Sequence, residues 1–146
     1  MRSTLTEPEI VFVQTERVAR LATLRADGSP HIVPICYAFD GRLFFTPLDE
    51  KPKRVADGDL QRIRNIQARP EVGLLIDRYD EDWSRLGYVL VRGRAQLVAP
   101  DSSIHPGALA LLRSRYPQYR TMALERRQLI AVTLVHVTSW GPAVVA

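Results

Sequence analysis

The stretch Arg20–Thr46, RLATLRADGSPHIVPICYAFDGRLFFT, decides the fold. It opens inside a strand predicted over Arg17–Arg25, with Val18, Arg20, Ala22 and Leu24 on one face and Ala19, Leu21 and Thr23 on the other. Ala26-Asp27-Gly28-Ser29-Pro30 interrupts it as a turn, Asp-Gly supplying the left-handed position that a hairpin needs. His31–Phe39 follows as a second strand. Pro34 lacks an N–H for a ladder, which confines that strand to an edge or an irregular position. Asp40-Gly41 is a second turn, and Arg42–Thr46 a third strand. The segment reads as a three-stranded antiparallel meander.

Upstream, Thr6 followed three residues later by Glu9, with Pro8 between them, predicts a capped helix that ends near Thr15 and turns Ile10, Val11 and Val13 to the core. Downstream, Pro47–Asp59 is a polar loop and Leu60–Ala68 a helix with Leu60, Ile63 and Ile66 on its apolar face, stopped at Arg69-Pro70. Glu71–Asp77 is nearly all apolar and so a central strand. Asp80–Ser84 is an acidic turn. Gly87–Val98 is a long strand with a bulge expected at Gly93. Pro106–Arg115 is a helix ended by Tyr116-Pro117, and Leu129–Thr138 is the last strand. About six strands and three short helices run as hairpins, without βαβ alternation. The chain therefore reads as mainly β (α+β), an antiparallel barrel with short helices at its ends.

The 146 residues, at 46% hydrophobic and 25% charged, suit one domain over 1–146 with one sizeable core. The start MRSTLTEPEIVF has no apolar run behind a basic stretch, and no segment approaches the roughly 20 apolar residues of a membrane span. A cytoplasmic protein without membrane contact is expected. The single cysteine, Cys36, excludes an internal disulfide and a cysteine-based zinc site.

Net charge is +4, which permits anionic ligands without choosing among them. Its distribution says more. Of 20 basic residues 18 are arginine, and the only two lysines, Lys51 and Lys53, share one loop. Arg62 and Arg64 follow on the next helix. Two readings of this region stand: a solvated basic face, or a clamp in which ammonium and guanidinium groups hold a phosphate. No helix-turn-helix or aromatic stacking pattern accompanies the charge, so no nucleic-acid partner is expected. The acidic turn Asp80-Glu81-Asp82-Trp83 lacks the ligand spacing of a calcium loop. Its Trp83 needs something to pack on, either a partner subunit or a ring-shaped ligand. His31, His105 and His136 form no ligand-like pair, and His31, just after the first turn, is best placed to touch a ligand. Hydrolase, kinase and Rossmann motifs are absent, and no catalytic or metal-binding residue is assigned.

Together, the opening stretch, the helix with its L-x-N-I-x-x-x-P-like pattern, the strand pair ending Gly93-Arg94-Ala95 and the turn Glu81-Asp82-Trp83-Ser84 resemble the pyridoxamine 5′-phosphate oxidase-like split β-barrel family, and more narrowly its coenzyme F420-dependent branch. The resemblance implies a six-stranded antiparallel split β-barrel (the FMN-binding split barrel) with short peripheral helices. It also implies a homodimer with the cofactor, F420 or alternatively FMN, at the subunit interface. By that resemblance His31, Ile32, Val33 and Pro34 approach the ring, Phe45 and Thr46 approach the ribityl chain, and Lys51, Lys53 and Arg62 hold the phosphate. Tyr88 reaches across from the partner subunit, and Trp140 approaches from the last strand. The implied activity is hydride transfer between F420 and a small organic substrate. An FMN-dependent oxidoreductase or a non-catalytic flavin, F420 or haem carrier are the alternatives. The chain lacks the C-terminal arginine and histidine of true pyridoxamine-phosphate oxidases, so oxidation of vitamin B6 is not expected.

Overall fold

The computed structural model of the protein describes residues 2–48 and 61–145. In chain order these form α1 (Glu7–Thr15), β1 (Ala19–Leu24), β2 (Pro30–Ile35), β3 (Ala38–Phe39), β4 (Leu43–Pro47), α2 (Gln61–Ala68), β5 (Glu71–Arg78), β6 (Gly87–Val98), α3 (His105–Arg115), β7 (Leu129–Trp140) and α4 (Pro142–Val145). Short 3₁₀ turns lie at Trp83–Arg85 and Pro117–Arg120. Leu60, the expected first residue of α2, lies outside the described residues, and α4 adds a fourth helix to the three expected.

The sheet has seven strands, all antiparallel, in the order β2-β1-β5-β6-β7-β4-β3. The expectation of six fails at one place. The predicted strand His31–Phe39 breaks at Cys36 and Tyr37 into β2 and β3, which occupy opposite edges of the sheet. Two residues of chain span only about 7 Å, so the two edges lie side by side and the sheet curls into a half-barrel. The three-stranded meander does not form for the same reason: β4 pairs with β7 and β3, never with β2. Pro34 sits on an edge strand, as its missing N–H requires. The apolar strand β5 lies between β1 and β6, inside the sheet. The bulge falls between Arg92 and Gly93. A Cβ at Gly93 would meet the Thr133 carbonyl oxygen at 2.5 Å, so β6 and β7 approach closely only with glycine there.

The bend is pinned from several sides. The Tyr37 hydroxyl donates to the Val13 carbonyl, and its amide N–H donates to the Tyr116 hydroxyl at 3.1 Å. Arg115 donates from Nε to the Tyr37 carbonyl at 2.9 Å, and from its two Nη atoms to the carbonyls of Gln14 at 2.7 Å and Glu16 at 2.8 Å. Its guanidinium also stands 5.0 Å from the Tyr37 ring centroid. One arginine of α3 thus ties the bend to the end of α1. Burial pushes the Tyr37 phenol well above its ordinary range, so it remains a hydrogen-bond donor at any working pH.

The inward face carries Leu21, Leu74, Ile76, Val89, Val91 and Ile130, each essentially inaccessible. A second apolar layer, with Phe45, Leu109, Leu112 and Leu129, lies against α3. Helix α1 begins with the expected capping box between Thr6 and Glu9. Its buried residues are Glu9, Phe12 and Val13, whereas Val11, expected inside, is 61% exposed. The reason is helical spacing: Glu9 faces inward, so positions three and four residues on share its face and Val11 points away. Burial alone would raise the Glu9 carboxyl. Bonds from Arg2, Ser139 and the Thr6 amide outweigh it and hold the pKa at about 2.

Arg115→Ala is expected to destabilise the fold by about 1–3 kcal/mol, since it removes three charge-assisted hydrogen bonds at once, two of them part-buried. Chemical denaturation measures this. A loss below about 0.5 kcal/mol would show that the bend is held by other contacts.

Candidate functional site

Strict alternation along the central strands separates an inner from an outer face, and the register assembles the outer face row by row. One row runs Ile32, Ala22, Gly73, Arg92, His136, each residue directly opposite the next across β2, β1, β5, β6 and β7. The neighbouring row runs Pro34, Arg20, Leu75, Leu90, Thr138. Ala22 and Gly73 carry almost no side chain, so the first row dips between Ile32 and Arg92. The result is a groove of about 490 Å³ lined by Ala22, Leu24, Pro30, Gly73, Arg92 and Val135 among others, within the size range of small-molecule sites.

This outer face is unusually apolar for one turned to solvent. Ile32 is 62% exposed and Trp140 54%, and Tyr88, Leu90 and Val135 are also exposed. Tyr88 and Trp140 are register partners at the far end of β6 and β7, their rings stacked with centroids 6.1 Å apart. Trp83 is exposed too, in the 3₁₀ turn that packs on α4. The Asp82 carboxylate caps that turn by accepting from the Ser84 amide and hydroxyl. No cluster able to hold a metal ion occurs among the described residues. An exposed apolar area of this kind marks an interaction surface.

Cations gather at the β1–β2 hairpin, whose Leu24 and Pro30 border the groove, but on the inner side of the sheet. Thr23 and His31 are direct cross-strand partners on the inner side. Helix α2 covers them, and Asn65 donates from Nδ2 to the Thr23 hydroxyl at 2.9 Å. The pKa of His31 is lowered by burial first, and then by the positive charges of Arg25 and Arg62. The His31 Nδ1 is buried and has no hydrogen-bond partner among the described residues, an arrangement that asks for a ligand or a loop atom to complete it. The same is true of His136 Nδ1, on the outer face.

The residues named from sequence therefore fall in several places. His31 and Arg62 come together at the hairpin. Ile32 and Pro34 face outward beside the groove, while Val33 faces inward with Leu21. Tyr88 and Trp140 meet at the other end of the outer face. Phe45 and Thr46 are both buried; Phe45 lies against α3 and borders a separate cavity with Ile104 and Leu111. Lys51 and Lys53 lie outside the described residues. Ala22, Gly73, Arg92 and His136 have no signal in the sequence, because only cross-strand register, which no local pattern encodes, puts them in one row; Arg25 joins the site only through the fold of the hairpin.

A half-barrel of antiparallel strands closed by a split second strand, with short helices at its ends and a groove on its outer face, defines the split β-barrel class. The family model for pyridoxamine 5′-phosphate oxidase matches residues 7–141, and the chain belongs to that family. Solved structures repeat the fold. A conserved hypothetical protein of Mycobacterium tuberculosis superposes with a TM-score of 0.75 at 22% identity, over 96% of this chain and 87% of that one. An F420 reductase does so at 0.65 and 22%, over 92% and 98%. A haem storage protein of Vibrio cholerae gives 0.70 and 17%, over 97% and 95%. At these identities the likeness is one of fold.

The depressed His31 pKa has a definite sign. A histidine harder to protonate when folded favours the native state at high pH, and that contribution is lost as pH falls through the unfolded value of about 6.5. Arg25→Met is expected to raise the His31 pKa, read from its imidazole proton shifts during an NMR titration. No rise would separate Arg25 from this cluster.

Proposed function

We propose that this chain is an F420-dependent oxidoreductase that transfers hydride between the deazaflavin cofactor and a small organic substrate, acting in the cytoplasm as a homodimer with the cofactor at the subunit interface. The observation that carries this reading is the outer groove over Ala22 and Gly73. It is a shallow apolar slot that suits a flat ring, and its Leu24 and Pro30 end adjoins the hairpin whose inner side carries His31 with the charges of Arg25 and Arg62, which suit a phosphate. The buried Nδ1 of His31, without a hydrogen-bond partner among the described residues and near the charges of Arg25 and Arg62, would accept a polar group of the ligand beyond the groove's hairpin end. Membership of the oxidase family and structural likeness to an F420 reductase support it.

The chemistry of hydride gain and loss would belong to the deazaflavin. The protein's part is to place and shield it. Ala22 and Gly73 would provide a floor flat enough for ring contact, with Ile32 and Val135 as apolar walls. Arg25 and Arg62, with Lys51 and Lys53 of the preceding loop, would hold the phosphate through charge-assisted hydrogen bonds. A second copy of the chain, laid on the exposed outer face that carries Ile32, Leu90, Tyr88 and Trp140, would cover the groove and exclude water. No side chain is assigned as an acid or base. FMN in the same groove is the alternative cofactor.

A non-catalytic haem carrier is the second reading. It is favoured by His136, whose Nδ1 lacks a partner on this apolar face, and by likeness to haem-binding and haem-storage proteins.

Titration of the purified protein with F420, FMN and haem, followed by absorbance and fluorescence, separates these readings. Tight F420 binding is expected, with weaker FMN binding and no haem band. Binding of none of the three would end the proposal. The double substitution Lys51→Glu, Lys53→Glu is expected to weaken F420 binding at least tenfold while leaving the thermal midpoint near its original value. Filling the groove with Ala22→Leu is expected to weaken binding of the ring itself.

A further inference from the structure

Asn65 of α2 and Thr23 of β1 form a buried polar pair. Asn65 is 2% exposed and Thr23 also 2%, and the other buried residues of α2 are the apolar Ile63 and Ile66. A buried amide is costly unless it is bonded, and here both ends are. Asn65 Nδ2 donates to the Thr23 hydroxyl at 2.9 Å, and Asn65 Oδ1 accepts from Gln61 Nε2 at 2.7 Å. Apolar contact alone would let α2 rotate or slide on β1. A directional bond at a single buried point does not.

The position of that point matters. Thr23 lies directly opposite His31 across the β1–β2 ladder. Arg62 precedes Asn65 by three residues on α2, so the two share a helix face. The helix rotation that seats Asn65 on Thr23 is therefore the one that brings Arg62 to His31. We propose that Asn65 is a positioning residue: through Thr23 it fixes the rotation of α2 that presents Arg62 beside His31 as part of the phosphate clamp. This rests on the cofactor reading given above for its purpose, though not for its geometry.

The charges acting on His31 come from Arg25 at the end of β1 and Arg62 on α2, so the histidine reports where Arg62 stands. Three single variants are compared, Asn65→Leu, Thr23→Val and Arg62→Met, each checked for a dispersed amide spectrum. The first measurement is the NMR titration of His31 in cofactor-free protein. Asn65→Leu and Thr23→Val are both expected to raise its pKa, in the same direction as Arg62→Met. The second is affinity for F420 relative to its phosphate-free deazaflavin core. All three variants are expected to cut the preference for the phosphate-bearing form about tenfold, the worth of one charge-assisted hydrogen bond, and to bind the phosphate-free core as the parent protein does.

An unchanged His31 titration in a folded Asn65→Leu and Thr23→Val, beside a raised one in Arg62→Met, would overturn the proposal. So would equal losses for both ligands, which would mark a merely structural contact. If the parent protein binds neither deazaflavin, the cofactor reading falls, and the His31 titration still decides whether Asn65 places Arg62.

Discussion

The architecture depends on the bend at Cys36–Tyr37. One continuous stretch of chain serves as both edges of the sheet, so the sheet must curl and its outer face must be the surface that carries the groove. A peptide bend exposes N–H and C=O groups, and in an apolar interior these need partners. Tyr37 and Arg115 meet that demand together: phenol to Val13, amide to Tyr116, carbonyl to Arg115. Arginine suits the position because one planar group reaches the Tyr37 carbonyl at the bend and two carbonyls at the end of α1.

From closure follows the site. Once the register of β1, β2, β5, β6 and β7 is set, Ala22 and Gly73 fall side by side, and the small pair produces a depression that no single strand contains. The hairpin turn at Asp27-Gly28, with Gly28 at φ +86°, returns the chain so that His31 faces Thr23. Helix α2 then lies across that pair, and its arginine joins the hairpin's. The apolar floor thus comes from β1 and β5, and the cationic cluster from the β1–β2 hairpin and α2, with β1 common to both.

Much of this was legible in the sequence, and the parts that were not share a cause. The capping box of α1, both Asp-Gly turns, the central place of β5, the edge position demanded by Pro34 and the bulge at Gly93 each rest on local chemistry of one or two residues. The split of the second strand does not, because β2 and β3 are divided by partners more than 70 residues away on α3. Val11 faces outward although it is apolar, because the bonded Glu9 sets the rotation of α1. At the site, His31 and Arg62 could be named from their positions after a turn and on a basic helix. Phe45 was named beside them, yet its side chain lies in the layer under α3. Ala22, Gly73 and His136 acquire meaning only from register, and a small residue gives no signal of the space it leaves.

The proposed cofactor site has two parts, the outer groove for the ring and the hairpin–α2 cluster for the phosphate. A crystal structure of the protein with F420 tests both at once. The account predicts the deazaflavin over Ala22 and Gly73, covered by a second copy of the chain, with its phosphate against Arg25 and Arg62. A ring bound elsewhere, such as in the cavity between Phe45 and Ile104, would contradict it.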